Sequence, residues 1–389
     1  MIIYASCLIS EKKTEKLFGN RGTYEGFQVQ KFHKLLSEGL EKNNCKIKIL
    51  SIIPVTRKNL KKLYVPRENE YINNIEYIYP GVINIPILKN VFAILSSFWT
   101  TWNLIKESKE PTVLIADCLN QSVALGSVLA AKVLNTPTIG IVTDLPEILS
   151  EKKSNINNKI IGLFEKYILL TKQMGDYIES KITHKKKPYI VIEGMVDYKT
   201  KNIDILKSEE KYKTKVCMYT GALEKKYGLD YLVKGFIKAD VKDSELHIYG
   251  NGSYRKELLE ICKNNKNVKY FGTRPNKNII EYQRKATLLI NVRPSSEEFT
   301  KYSFPSKNME YMASGTPFLT TILPGMPKEY LEYVYTLQQE DEDGVAAKLE
   351  EILNKPYQEL YEYGRKAKLF VVQNKNNISQ AKKILDWLG

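Results

Sequence analysis

The chain has 389 residues, 43% hydrophobic and 11% aromatic, with 59 Lys and Arg against 44 Asp and Glu, a net charge of +15. That length asks for two or three domains, and that composition rules out a disordered or fibrous chain. Five scattered cysteines without a Cys-x-x-Cys pair argue against a zinc site or a disulfide scaffold and for free thiols in a reducing compartment.

The N-terminal MIIYASCLIS lacks the order of a secretory signal and reads as a buried first strand. No uncharged apolar run reaches the roughly 18–20 residues that span a bilayer. The expectation is a cytoplasmic chain, at most peripheral at the inner face of a membrane. Further strands are predicted at KIKILSIIP (46–54), TVLIAD (112–117), TIGIVTD (138–144) and YIVIEG (189–194). Between them, helical periodicity runs through 27–43, 122–135 and 157–181. Strands alternating with helices of this length imply βαβ units and a parallel sheet buried on both faces.

A polar stretch at 198–213 reads as a linker. A second alternating set follows, with strands at 215–221, 245–250, 268–272, 287–293 and 317–322 and helices at 230–239, 253–265 and 306–314. The chain is therefore an α/β protein of two doubly wound parallel-sheet domains, expected to face a central cleft. The boundaries are drawn at 1–200 and 201–374, with a last helix over 375–389 packed back on the first domain.

The positive charge is spread over both halves, so it favours polyanions in general. No helix-turn-helix, zinc-finger or RNP signature is present, and nucleic acid is not expected as a partner. Arg57, Lys58, Lys61 and Lys62 lie near VFAILSSFWTTW (91–102), a combination suited to an anionic membrane surface. Aromatics in a core with solvated lysines are the alternative.

Three loops at predicted strand ends carry glycine: Gly221 with Gly228, Gly250 with Gly252, and Gly272. Glycine there lets backbone N–H groups approach a phosphate, although a plain turn is the commoner use. The most informative stretch is 291–321. A strand ends at Arg293, Pro305 starts a helix, and Gly315-Thr316-Pro317 stops it. The N–H groups near Ser303, Phe304, Ser306 and Lys307 suit an anion, and Glu310 shares a helix face with Lys307. Such a carboxylate could accept from two ribose hydroxyls. A simple Lys307–Glu310 ion pair is the other reading.

SFPSKNMEYMASGTP, with YTGALEKKYGLDYL before it and LPGMPKEY after it, resembles the donor-binding half of glycosyltransferase family 4. The resemblance is strong over 215–330 and weak over 1–200, and looks nearest to bacterial enzymes building capsule, exopolysaccharide or O-antigen units. It implies the GT-B fold, with an acceptor-binding first domain and a nucleotide-sugar-binding second one. Glu310 then resembles the second carboxylate of the family's Glu-x7-Glu motif. Tyr302 stands where the first is expected, with Glu297 or Glu298 as substitutes. Ala222 and Tyr227 occupy the family's usual Arg and Lys positions, so phosphate charge falls to Arg293, Lys307 and Lys225 or Lys226. Thr273 and Arg274 resemble the base-recognition loop, and Gly325 with Glu329 a later glycine loop and acid.

In the first half, the loop 19–27 containing Gly22 resembles the family's glycine loop between acceptor and donor phosphate. Asp144 falls where relatives carry a His-Asp pair, here Thr143-Asp144. A carboxylate there could orient or deprotonate an acceptor hydroxyl, and a turn or helix start is the alternative. Asp117 is the other strand-end candidate. By resemblance the enzyme is retaining, uses no metal or other cofactor beyond the nucleotide-sugar co-substrate, and serves a lipid-linked saccharide. UDP is favoured over GDP. A nucleotide-sugar 2-epimerase and a non-catalytic GT-B subunit are the rivals. His33, His184 and His247 read as packing residues, and Asp341-Glu342-Asp343 as a helix start.

Overall fold

The computed structural model describes residues 1–18, 27–57, 60–145, 148 and 155–389. Met1–Met195 with Asn377–Gly389 form unit 1, and Val196–Asn376 form unit 2.

Unit 1 contains strands β1 (Ile2–Ser6), β2 (Ile47–Ser51), β3 (Tyr64–Val65), β4 (Glu68–Ile72), β5 (Ile75–Tyr79), β6 (Val82–Ile83), β7 (Val113–Asp117), β8 (Thr138–Val142), β9 (Lys166–Leu169) and β10 (Tyr189–Val191). Eight of them form a sheet in the order β10-β9-β8-β7-β1-β2-β5-β4, parallel except for β4 against β5. β3 and β6 pair separately and antiparallel. Every residue of β1 and β8 is buried, as a parallel strand covered on both faces requires.

The long helix expected over 157–181 is broken in two places. Helix Asn155–Gly162 gives way to β9, and a second helix begins at Lys172. The aromatic and β-branched run Tyr167-Ile168 is buried in the sheet. Thr171 starts the new helix by accepting from Met174 N at 3.2 Å. Helical spacing of apolar residues cannot distinguish this strand from a buried helix turn.

Helix Asn377–Leu388 packs on helix Phe27–Lys42 in unit 1. Asn377 Nδ2 donates to Leu35 O at 3.1 Å and Asn43 Nδ2 to Ile378 O at 2.9 Å. Gly39 is where the helices meet; a Cβ there would lie 2.1 Å from Asn377 O.

Unit 2 holds β11 (Lys215–Ala222), β12 (Ser244–Asn251), β13 (Val268–Tyr270), β14 (Leu288–Asn291), β15 (Phe318–Thr320) and β16 (Tyr335–Thr336). They form an all-parallel sheet in the order β13-β12-β11-β14-β15-β16. Alternate residues of β11 feed two cores: Cys217 and Tyr219 face Leu232 and Phe236, whereas Val216 and Met218 face Met309 and Met312. Each such side chain contributes about 1.5–3 kcal/mol on burial. Asp341 caps helix Glu342–Leu353 by accepting from Gly344 N at 2.9 Å. Among the described residues, no helix is long and apolar enough to cross a membrane.

Candidate active site

The strand order of unit 2 reverses between β11 and β14, and in open parallel sheets ligands bind at the carboxyl ends of such a pair. Four segments meet there: Thr220–Gly221 near the end of β11, Gly250 near the end of β12, Arg293 just after β14, and the start of helix Ser306–Ser314. Gly221 and Gly250 are in register. A Cβ on Gly250 would lie 1.7 Å from Gly221 O, at a φ of +136°, so only glycine lets these strand ends approach. Gly250 N donates to Gly272 O at 3.0 Å, and Tyr270 Oη to Gly250 O at 2.9 Å. The three glycine loops read from the sequence thus lie side by side on one sheet edge.

Helix Ser306–Ser314 begins after Pro305 with no capping side chain and ends at Gly315, whose φ is +78°. Its inner side is anchored by polar residues that sequence reasoning did not single out. Tyr311 Oη accepts from Thr220 N at 2.9 Å, and Asn291 Nδ2 donates to Asn308 Oδ1 at 2.8 Å. An Asn and a Tyr among Met309, Met312 and Ala313 were the available signal. The Ser303 hydroxyl, just ahead of the helix, is buried with no hydrogen-bond partner among the described residues.

Lys307 Nζ donates to the Thr220 carbonyl and lies 5.6 Å from the Tyr219 ring centroid. The Arg293 guanidinium sits 4.5 Å above the Tyr227 ring. Tyr227, at a position where a family lysine was expected, is the platform for the arginine. Burial, and then the Arg293 charge, pull the Lys307 amine from its ordinary 10.5 down to about 7, against the opposing pull of Glu310. Two cations held this close beside a helix N-terminus favour an anion.

Glu310 Oε1 accepts from Gln283 Nε2 at 2.9 Å, which fixes the carboxylate one helical turn from Lys307. Tyr302 ends the short 3₁₀ turn Glu298–Tyr302, where burial and then Glu298 raise its hydroxyl pKa. Phe304 is buried with its ring 5.1 Å from Tyr330, so it offers backbone rather than side chain, whereas Ser306 is exposed in the first turn. Thr273 and Arg274 are exposed beyond β13. Lys225 pairs with Glu257 at 2.7 Å, out on helix Arg255–Asn264. Glu329 is paired with Lys375 at 2.5 Å.

In unit 1 the strand order reverses between β1 and β7. Asp117 ends β7, but it is 1% exposed and does not present the acceptor contact expected of it. Its Oδ2 lies 3.3 Å from His33 Nε2, and its Oδ1 accepts from Leu119 N at 3.0 Å. The other ring nitrogen, His33 Nδ1, is 2.6 Å from Tyr4 Oη. Burial and then the Asp117 charge push the nearby Cys7 thiol up to about 12. His33, on the covering helix, takes the carboxylate that a bare strand end would expose. Asp144 lies just past β8 and is half-buried. Gly22 falls outside the described residues.

Asp117→Ala should lower stability by about 3 kcal/mol in urea unfolding, because it strands His33 and the Leu119 N–H, and should leave nucleotide affinity unchanged. For Lys307, a bound diphosphate stabilises the cation and raises its pKa above about 7, so binding takes up a proton at higher pH. Affinity for a nucleotide sugar, whose diphosphate charge is constant across this range, should weaken up to about tenfold per unit above roughly pH 7 and flatten below about pH 6. Calorimetric titration across pH checks both sign and window.

Residues 200–369 match the family model described as Glycosyl transferases group 1. No curated protein sequence matches the chain. Solved structures are similar over its whole length. Sucrose-phosphate synthase from Thermosynechococcus elongatus shares 12% identity at a TM-score of 0.66, covering 100% of this chain and 98% of that one. A UDP-forming α,α-trehalose-phosphate synthase from Burkholderia vietnamiensis shares 9% at 0.69, over 100% and 98%. HepE from Anabaena, solved in complex with UDP and glucose, shares 14% at 0.64, over 100% and 98%. The two Rossmann-like sheets, one in each unit, make the fold GT-B.

Proposed function

We propose that this GT-B chain, with its group 1 glycosyl transferase region, is a retaining glycosyltransferase that moves a hexose from a nucleoside diphosphate donor. UDP is preferred to GDP, the base named in two of the similar structures. The acceptor in this reading is a lipid-linked saccharide in surface polysaccharide synthesis, met at the inner face of the membrane by a cytoplasmic enzyme.

One observation carries the reading: Arg293 and Lys307 are held together at the sheet's switch point, and Lys307 is brought down to about 7 by burial and by that neighbour. As the sugar leaves, negative charge grows on the diphosphate. Arg293, Lys307 and the first-turn amides of helix Ser306–Ser314 stabilise it without moving. Gly221 and Gly250 keep the strand ends low enough for the phosphates to approach, and Glu310 holds the ribose. Asp144 is assigned to the acceptor hydroxyl as an orienting or proton-accepting group. Two fixed cations meet the diphosphate's charge, so the reading needs no divalent metal.

Calorimetry with UDP and GDP tests the donor site. UDP should bind more tightly than GDP, and Glu310→Ala should weaken UDP by about tenfold through its lost ribose contacts. EDTA should leave both binding and turnover unchanged. Binding of neither nucleotide would sink the reading. An epimerised nucleotide sugar formed without acceptor would replace transfer with epimerisation.

A further inference from the structure

Helix Leu88–Glu107 in unit 1 is turned the opposite way from an ordinary surface helix. Its buried positions are Ala93, Ser97, Thr101 and Leu104, three of them small. They pack against helix Gln121–Val133, where a Cβ on Gly126 would lie 2.2 Å from Ile94 O and Thr101 Oγ1 donates to Ser127 Oγ at 3.0 Å. Four large apolar residues face out instead. Leu88, Val91, Leu95 and Trp99 recur at spacings of three and four and form one exposed stripe, with Trp99 58% exposed. The residue before the helix, Ile87, is 80% exposed and held at a φ of +69°, a region β-branched side chains seldom occupy.

The charge along this stripe is positive up to the last residue of the helix, Glu107. From Tyr77 to Lys106 the sequence holds no Asp or Glu. Exposed Lys106 closes the stripe, 5.9 Å from the Trp102 ring centroid. At the other end, Asn84 Nδ2 donates to Leu60 O at 2.8 Å and Lys62 O at 3.1 Å, and Lys89 Nζ to Val55 O at 2.8 Å. These bonds fasten the segment bearing exposed Arg57, Lys61 and Lys62 beside the helix start. Tyr64 and Leu63, in the same segment, are also exposed. An apolar patch rimmed mostly by cations complements a surface that is apolar inside and anionic outside.

We infer that this face docks on an anionic lipid bilayer, with Leu88, Val91, Leu95 and Trp99 entering the headgroup layer and Lys61, Lys62 and Lys106 meeting lipid phosphates. The docking face deepens the reading of a lipid-linked acceptor by supplying the means of reaching it. The burial of small residues is what frees the large ones for this use. A helix that served only unit 1 would turn Leu95 and Trp99 inward.

Co-sedimentation of the full chain with vesicles tests it. The chain should pellet with phosphatidylcholine vesicles containing roughly a third phosphatidylglycerol, stay in solution with phosphatidylcholine alone, and be released by salt. Lys61→Gln with Lys62→Gln should weaken binding roughly 30-fold, at about tenfold per 1.4 kcal/mol and about 1 kcal/mol per cation. Leu95→Ser with Trp99→Ser should weaken it at least about tenfold while leaving the melting temperature unchanged, since both side chains are exposed. Failure of the wild type to bind anionic vesicles, or binding by both variants equal to that of the wild type, overturns the inference. So does a dimer that Leu95→Ser with Trp99→Ser abolishes in the absence of vesicle binding, which would give the face to a second copy. UDP titration of the same samples separates the two readings. UDP binding without vesicle binding sinks the docking face alone, and vesicle binding without UDP binding sinks the donor site alone.

Discussion

Arg293→Ala should lower kcat/KM for the nucleotide sugar by about 10²–10³-fold, the usual cost of removing one fixed group aimed at developing charge. Lys307→Met should cost a similar factor. Because both cations act on one diphosphate, the double variant should fall well short of the product of the two. The pair also differs in its effect on stability. Folding takes the Lys307 amine from 10.5 to about 7, so between those values the protonated amine is a burden on the native state. Stability tied to this group rises with pH across that window, and removing the amine relieves the burden. Lys307→Met should therefore hold or raise Tm at neutral pH while activity collapses, as expected where a site is organised for a ligand rather than for the fold. A Tm loss parallel to the activity loss would mark Lys307 as a structural residue. Steady-state kinetics and thermal unfolding of the same samples decide.

Gly250→Ala should be the most damaging small substitution in unit 2. The added methyl carbon would start 1.7 Å from the Gly221 carbonyl oxygen, a backbone atom pinned by the register of β11 with β12, and φ is +136°. Strain at the dihedral and displacement of the strand end together should cost about 3 kcal/mol or more and reduce UDP affinity at least about tenfold. Gly272→Ala is the internal control. Its φ of +68° is also strained, but the nearest atom to its new carbon is Tyr270 Oη at 3.9 Å. The expected loss is about 1 kcal/mol, near the dihedral cost alone. Equal losses in urea unfolding would show that close approach of the strand ends is not what requires Gly250.

The elements around Arg293 and Lys307 were legible because local chemistry marks them. Pro305 and Gly315 bracket the helix that Lys307 and Glu310 share, and glycines punctuate three successive strand ends. What was not legible depends on pairings between residues distant in sequence. Asp117 could be read only as a strand-end carboxylate because nothing near it announces His33, which arrives on a distant helix. The ion pair of Lys225 with Glu257 joins residues that no local pattern connects. β9 was hidden inside a helical spacing because Tyr167 and Ile168 suit either element. Helix Leu88–Glu107 is apolar on nearly every side, so periodicity could not say which face turns inward. Close approach at Gly126 decides it, a fact of the partner helix.

The assignment of Asn377–Leu388 to unit 1 has a consequence for the order of assembly on the ribosome. Chains ordinarily acquire structure from the first-made end onward. Here the covering for helix Phe27–Lys42 is translated only after all of Val196–Asn376 has been made, so the earlier-made unit waits with that flank bare while every residue of the later-made one has already been joined. A nascent chain stalled before residue 377 would offer chaperones the face around Gly39, and reading through the final helix would withdraw it.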